Sequence, residues 1–225
     1  MSRFCFALLL ALTCHFAHAG VADISNHDAN AGLKEALTRG ADFAVANLGK
    51  PDGFLGNPKV KIPLPDTLRK GEKALRAIGM GKQADELTLT MNRAAEQAVV
   101  EAKPILTDAI KKMTLQDAKA VLTGSDDAAT QYFKRTTSAE LNARFLPVIK
   151  RSTSKLQLTE KYNKFAGQAA GMGLMKKQDA DLDSYVTRKA MDGLFLMIAE
   201  QEKNIRKDPV GAGSDLLKRV FGGLK

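Results

Sequence analysis

The chain has 225 residues, a formal net charge of +9, two cysteines, three histidines and no tryptophan. Residues 1–19 have the pattern of a secretory signal peptide: Arg3, an apolar stretch over 4–12, and Ala17-His18-Ala19 as the small-x-small cleavage sequence. Cleavage there removes both cysteines and two histidines, and loss of Arg3 leaves 33 basic against 25 acidic residues, a charge of +8. The mature chain would then hold no disulfide, no cysteine-ligated metal and no site built on two histidines.

The remaining residues, 20–225, are enough for one hydrophobic core, so we expect a single domain. No apolar run after Leu12 reaches the roughly 18 residues that a transmembrane helix needs. Basic residues are spread along the chain among acidic ones, and aromatic residues that could stack on bases are sparse. The sequence therefore argues against a nucleic-acid partner, and it leaves a protein or an anionic ligand open as the partner.

The first predicted helix covers residues 28–48, where apolar residues recur at three- and four-residue spacing. Residues 50–65 contain four of the seven prolines, so we expect a long loop rather than a helix. Apolar side chains should pin this loop to the core. They are Phe54, Leu55, Val60, Ile62 and Leu64, and the last three should alternate onto one face.

Helical spacing resumes at Asp66 and is broken at Gly79 and Gly81. A helix over 82–102 follows, with a stripe of small apolar residues that would let a neighbouring helix approach closely. Capping signals place three of the later helices: one over 115–122 after a Thr114 cap, one from 125–127 to 135, and one that begins at Thr137, which has capping-box spacing with Glu140. The other helices are predicted over 104–113, 159–170, 182–207 and around 216–221. The fold class is thus all-α, a single domain of about eight helices with one proline-rich loop packed on the core.

One turn of the helix over 82–102 brings together Asn92, Arg93 and Glu96. In a cleft, these side chains could bind a polar ligand; the alternative is an ion pair that fixes the packing of the helix. Lys59 and Lys61, which alternate with apolar anchors of the loop, are further candidate binding residues. Tyr132 and the adjacent basic residue Arg135 complete the candidate set.

Patterns for catalysis or metal binding are incomplete. Asp179, Asp181 and Asp183 have the opening spacing of a calcium loop, but its turn glycine and final glutamate are replaced by Ser184 and Ala190, so helix capping is favoured. The mature chain's lone histidine gives no serine-histidine-aspartate triad, and phosphate- and dinucleotide-binding motifs are missing from the sequence. We therefore assign no catalytic residue, metal or cofactor, while a pair of carboxylates acting as acid and base stays open.

Several stretches in combination resemble domain-of-unknown-function family 4197, a group of secreted bacterial proteins. They are 32–37 (GLKEAL), 52–54 (DGF), 59–65 (KVKIPLP), 91–96 (MNRAAE), 128–133 (AATQYF), 205–209 (IRKDP) and 216–221 (LLKRVF). The resemblance covers nearly all of the mature chain and implies a bacterial, exported, helical protein, without implying an activity. Residues 11–13 before Cys14 are a poor lipobox, so we expect a free periplasmic protein rather than a lipoprotein.

These observations favour a non-enzymatic periplasmic protein that binds a partner through the loop over 50–65 and the helix that carries Asn92, Arg93 and Glu96. A long loop with apolar anchors and exposed lysines is a typical place for binding residues. Two alternatives stay open: a cofactor-free hydrolase that uses carboxylate, lysine or tyrosine groups, and a peripheral protein that binds an anionic membrane surface through the basic segment around 216–221.

Overall fold

Helices make up all the regular secondary structure in the part of the chain that the computed structural model describes, residues 26–70, 72–77, 79, 81–154, 157–171 and 180–208. The all-α prediction is confirmed. The helices are α1 (Asn26–Gly49), α2 (Asp66–Lys70), α3 (Glu72–Ala77), α4 (Gly81–Val99), α5 (Ala102–Lys112), α6 (Leu115–Thr123), α7 (Ala128–Thr153), α8 (Gln157–Gly171) and α9 (Leu182–Lys207). The predicted signal peptide over 1–19 and the predicted helix around 216–221 lie outside the described residues.

Local capping signals set two helix starts where the sequence predicts them. Thr114 and Asp117 form a capping box at α6: Thr114 Oγ1 accepts from the Asp117 amide at 3.1 Å, and Asp117 Oδ2 accepts from the Thr114 amide at 3.2 Å. At α9, Asp181 Oδ1 accepts from the Ser184 amide at 2.8 Å. This bond supports the capping interpretation of Asp181, and α9 has the predicted range.

A single long helix, α7, replaces two predicted ones, so the predicted break before Thr137 is wrong. Thr137 Oγ1 donates to the Phe133 carbonyl at 2.6 Å, four residues earlier, and its side chain is buried. Thr136 and Ser138 make the same contact one residue to either side. These hydroxyls bond within the helix instead of capping a new one, and packing against α4 and α9 keeps the helix continuous.

The core lies where α4, α7 and α9 pack against one another, with α1 against α9, α5 and α4. The predicted small-residue stripe of α4 is confirmed, since Ala94, Ala95 and Ala98 are fully buried. Small side chains at these positions let the neighbouring helices come close to the α4 backbone. None of the described helices has both the length and the apolar character that crossing a bilayer requires.

Candidate functional site

The loop over 50–65 lies on the core as its sequence predicts. Phe54 and Ile62 are fully buried, and Val60 and Leu64 are buried as well, while Lys61 between them points to solvent. Phe54 packs closely on α9, where a β-carbon added at Gly193 would come within 2.7 Å of its ring. The apolar side chains therefore position the loop, and the polar side chains of α4 fix its backbone.

The side-chain amide of Asn92 bonds both backbone polar groups of one loop residue, Ile62. Its Oδ1 accepts from the Ile62 amide at 2.8 Å, and its Nδ2 donates to the Ile62 carbonyl at 2.9 Å. A third bond joins Nδ2 to the Thr88 carbonyl at 2.8 Å. Asn92 is fully buried, so this side chain satisfies loop backbone groups that water does not reach.

Glu96 holds the other end of the loop. Its Oε1 accepts from the amides of Phe54 and Leu55 at 3.1 and 3.2 Å, and its Oε2 accepts from Arg93 Nη1 at 2.7 Å. Arg93 Nη2 donates to Asp52 Oδ1 at 2.8 Å. The bonds to Glu96 and then Asp52 raise the pKa of Arg93. Glu96 is buried, so a charge that would be costly alone is matched by three donors.

The trio Asn92, Arg93 and Glu96 therefore forms a network with the loop. Asn92 and Glu96 direct their polar atoms to loop backbone, and Arg93 bridges Glu96 to Asp52. This geometry matches the structural alternative of the sequence analysis, with the loop in place of a neighbouring helix. Bonds of this kind fix the positions of the residues that the loop exposes.

The two loop lysines differ in their surroundings. Lys59 Nζ lies 2.7 Å from Glu200 Oε1 on α9, in an exposed ion pair. Lys61 is exposed, and its side chain makes no hydrogen bond or ion pair with any residue that the structure describes. Its ammonium group therefore extends from the fixed loop with no counter-charge among the described residues.

Lys61 borders a groove of about 450 Å³ between the loop, the α2–α3 segment and α4. Pro63 and Leu89 contribute apolar walls, and Leu89 is 43% exposed. Arg69 and Arg76 add basic groups. Arg76 forms ion pairs with two acids, Glu72 at 2.8 Å and Asp85 at 2.6 Å. The hydrogen bond from Arg76 lowers the pKa of Asp85. The groove therefore combines apolar and charged walls.

Tyr132 and Arg135 lie with other elements. Tyr132 is buried and donates to the Ala109 carbonyl of α5 at 2.7 Å, and burial raises its pKa. The Arg135 guanidinium lies 5.5 Å from the Tyr132 ring, with Nη2 at 3.4 Å from Asp117 of α6. These contacts join α7 to α5 and α6, and none of them reaches the loop.

A second buried glutamate, Glu202 of α9, takes a role that the sequence analysis does not find. Its Oε1 accepts from the Ala129 amide at 2.8 Å, and its Oε2 accepts from the Thr130 amide and hydroxyl, both at 2.9 Å. Arg206 donates to the same carboxylate at 2.8 Å and to the Val121 carbonyl at 2.8 Å. Glu202 thus caps the start of α7 from across the fold.

Asp183 is a buried carboxyl group that accepts a hydrogen bond from Thr153 Oγ1 at the end of α7. Burial raises its pKa, and the bond from Thr153 acts in the opposite direction. Asp179, which shares the calcium-loop spacing with Asp181 and Asp183, lies outside the described residues. Within the described residues, no cluster of three potential ligands that could hold a metal ion is found.

Comparison with known proteins gives one match. The family model described as "Protein of unknown function (DUF4197)" matches residues 23–222, nearly the whole chain. No curated protein and no solved structure matches the chain. The resemblance seen in the sequence is confirmed, and the chain belongs to the DUF4197 family.

Proposed function

We propose that this protein is exported to the periplasm and acts there as a non-enzymatic binding protein. Its partner is a protein that presents an acidic segment, and the contact surface comprises Lys61, Pro63 and the neighbouring groove. One observation carries the proposal: buried Asn92 and Glu96 fix the backbone of a loop in which the exposed ammonium group of Lys61 has no partner among the described residues.

The hydrogen bonds to the loop hold its backbone in one conformation, which suits a binding surface. A loop that only covers apolar surface needs its apolar anchors, and Phe54, Ile62 and Leu64 supply these. The bonds from Asn92 and Glu96 hold the backbone as well. A surface held in one conformation loses little conformational entropy when a partner binds, which favours affinity.

Groove chemistry supports a peptide segment as the ligand. Leu89 and Pro63 provide apolar contact, and Lys61 provides a positive charge that no described acid neutralises. An extended segment with an acidic side chain fits both features: the apolar part of the segment lies on the walls and its carboxylate meets Lys61. The formal charge of the chain agrees with an acidic partner.

Site-specific photo-crosslinking in the living cell tests the binding surface. A photoreactive amino acid replaces Lys61 in one variant and Lys119 in a control, since Lys119 of α6 is also an exposed lysine. We expect a discrete crosslinked protein from position 61 and none from position 119. Equal crosslinking from both positions, or none from position 61 in folded protein, would overturn the binding proposal.

Export is tested separately by fractionation. The full-length chain with a C-terminal tag should be found in the periplasmic fraction, shortened by residues 1–19. A variant with Leu8→Arg and Leu10→Arg in the apolar stretch of the signal should stay in the cytoplasm at full length. Full-length protein in the cytoplasm from the unaltered gene would contradict the export proposal.

A further inference from the structure

A second groove, of about 590 Å³, lies between the turn that joins α4 to α5 and the C-terminal half of α7. Three basic side chains line it, Arg144, Lys150 and Arg151, and one acidic side chain, Glu101. All four are exposed. None of the residues proposed above for partner binding belongs to this groove, so it is an independent feature of the molecule.

Arg144 and Arg151 differ from the other arginines in the described part of the chain. Each of the others forms an ion pair with an acid; they are Arg39, Arg69, Arg76, Arg93, Arg135, Arg188 and Arg206. The side chains of Arg144 and Arg151 make no hydrogen bond or ion pair with the described residues, and neither does the side chain of Glu101. The groove therefore contains two guanidinium groups that pair with no acid in the described part of the chain.

Helix geometry places Arg144 and Arg151 on one face of α7. Arg144 and Arg151 are seven residues apart, which is two helical turns or about 10.5 Å along one face of α7. Pro147 and Val148 lie between them in the lining and carry no side-chain hydrogen-bond acceptor. Both arginine side chains can thus turn towards a ligand seated over these two residues.

The helix dipole favours only two of the three basic side chains at their positions. Lys150 and Arg151 are in the last turn of α7, where positive charge favours the helix dipole. Arg144 lies more than two turns before the end of that helix, beyond the range of this effect. Three neighbouring cations also repel one another, and an anion bound among them would relieve this repulsion.

We infer that this groove is a binding site for a phosphate group, held between Arg144 and Arg151 with Lys150 adding positive charge. A phosphate monoester carries about −1.5 to −2 charge and three acceptor oxygens, enough for two guanidinium forks. A carboxylate has two oxygens, which one guanidinium occupies. Free phosphate monoesters and the headgroup of phosphatidic acid, which is also a monoester, share this chemistry.

Titration calorimetry on the mature chain tests the site with inorganic pyrophosphate as the soluble probe. Sedimentation with vesicles of phosphatidic acid and phosphatidylcholine, against phosphatidylcholine alone, tests the headgroup source. The double variant R144Q/R151Q should lose affinity about tenfold or more, because it removes both forks. The matched variant K119Q/K203Q removes the same charge from exposed lysines elsewhere and should change affinity less than about twofold.

Glu101 supplies a test in the opposite direction. E101Q removes the one acid of the groove and should strengthen pyrophosphate binding about two- to fivefold. Binding of pyrophosphate with these variant effects indicates a free phosphate ligand, and vesicle binding alone with the same effects indicates a headgroup. The inference fails if neither probe binds, if both double variants lose affinity equally, or if citrate, a carboxylate probe, binds as tightly as pyrophosphate. Failure here leaves the crosslinking result at Lys61 unaffected.

Discussion

Two buried glutamates, Glu96 and Glu202, have the same role in different parts of the molecule: each binds the backbone of a distant segment. Each accepts hydrogen bonds from two consecutive backbone amides of a segment far away in sequence, and each also binds an arginine of its own helix. Glu96 fastens a loop and Glu202 fastens the first turn of a helix. In the sequence, Glu202 and Arg206 have the spacing of an ordinary i, i+4 ion pair, whereas in the structure both glutamates connect distant segments.

The two sites differ in how far water reaches them. The Arg93 side chain is 37% exposed and also binds Asp52, which is 60% exposed. The Arg206 side chain is only 13% exposed, and it also donates to the Val121 carbonyl. Loss of the glutamate should therefore be more costly at the α7–α9 contact than at the loop, because a less hydrated charge is left behind.

The largest effect is expected for Glu202→Ala. It removes the acceptor of two amides and the carboxylate that matches Arg206, so the free energy of unfolding should fall by about 3–5 kcal/mol. Urea denaturation measures this change. Glu200→Ala is the control, since Glu200 pairs with Lys59 in solvent, and it should cost less than about 1 kcal/mol. Similar losses in the two variants would contradict the capping role of Glu202.

Glu96→Ala should have the next largest effect, a loss of about 2–3 kcal/mol, because two loop amides and Arg93 lose their acceptor. Hydrogen exchange locates the change. The amides of Phe54 and Leu55 should exchange faster, while those of Ala129 and Thr130 keep their protection under native conditions. Faster exchange at both pairs of amides would mean that the two segments unfold together.

Gly193→Ala tests the packing between the loop and α9. The added β-carbon would lie 2.7 Å from Phe54 Cε1 and 3.3 Å from Val60 Cβ, so the loop must shift. We expect a loss of about 1–2 kcal/mol in a thermal or urea experiment. Combining it with Phe54→Leu should give a smaller loss than the sum of the two single variants. If the losses in the free energy of unfolding simply add, positions 54 and 193 are not energetically coupled.

The smallest effect concerns Asp183 and depends on pH. Burial raises the folded-state pKa of this carboxyl above its unfolded value, so its favourable contribution to stability is complete below the unfolded pKa and is lost as pH rises through the folded one. Asp183→Asn keeps an acceptor for Thr153 and cannot ionise. The melting temperature of the variant, relative to the unaltered protein, should therefore be higher at about pH 8 than at about pH 4. An equal difference at both pH values would contradict the pKa shift.

Much of the fold was predictable because its signals are local. The range of α9 follows from the Asp181 cap, the apolar stripe and the proline after Asp208; the start of α6 follows from Thr114 and Asp117. The loop over 50–65 follows from its prolines. The break before Thr137 was predicted wrongly, because a hydroxyl that caps a helix and one that bonds within it have the same sequence signature.

The candidate site was only partly predictable. Spacing on one helix brings Asn92, Arg93 and Glu96 together, but their partners in the loop are 30 to 42 residues away, and sequence spacing carries no information at that distance. The capping role of Glu202 could not be predicted from the sequence for the same reason. The groove at α7 did leave a signal, since Arg144 and Arg151 share a helix face, but only the structure reveals that no described acid pairs with them.

The contact of Glu202 with Thr130 spans 72 residues, and α1 packs against α9. Helix α9, the last helix described, therefore supplies both the glutamate that caps α7 and a packing surface for α1. A nascent chain lacks these contacts until α9 has left the ribosome, so folding should finish late in synthesis. For a chain that we propose to be secreted, this delay is useful, because an unfinished fold can still be threaded through a translocation channel.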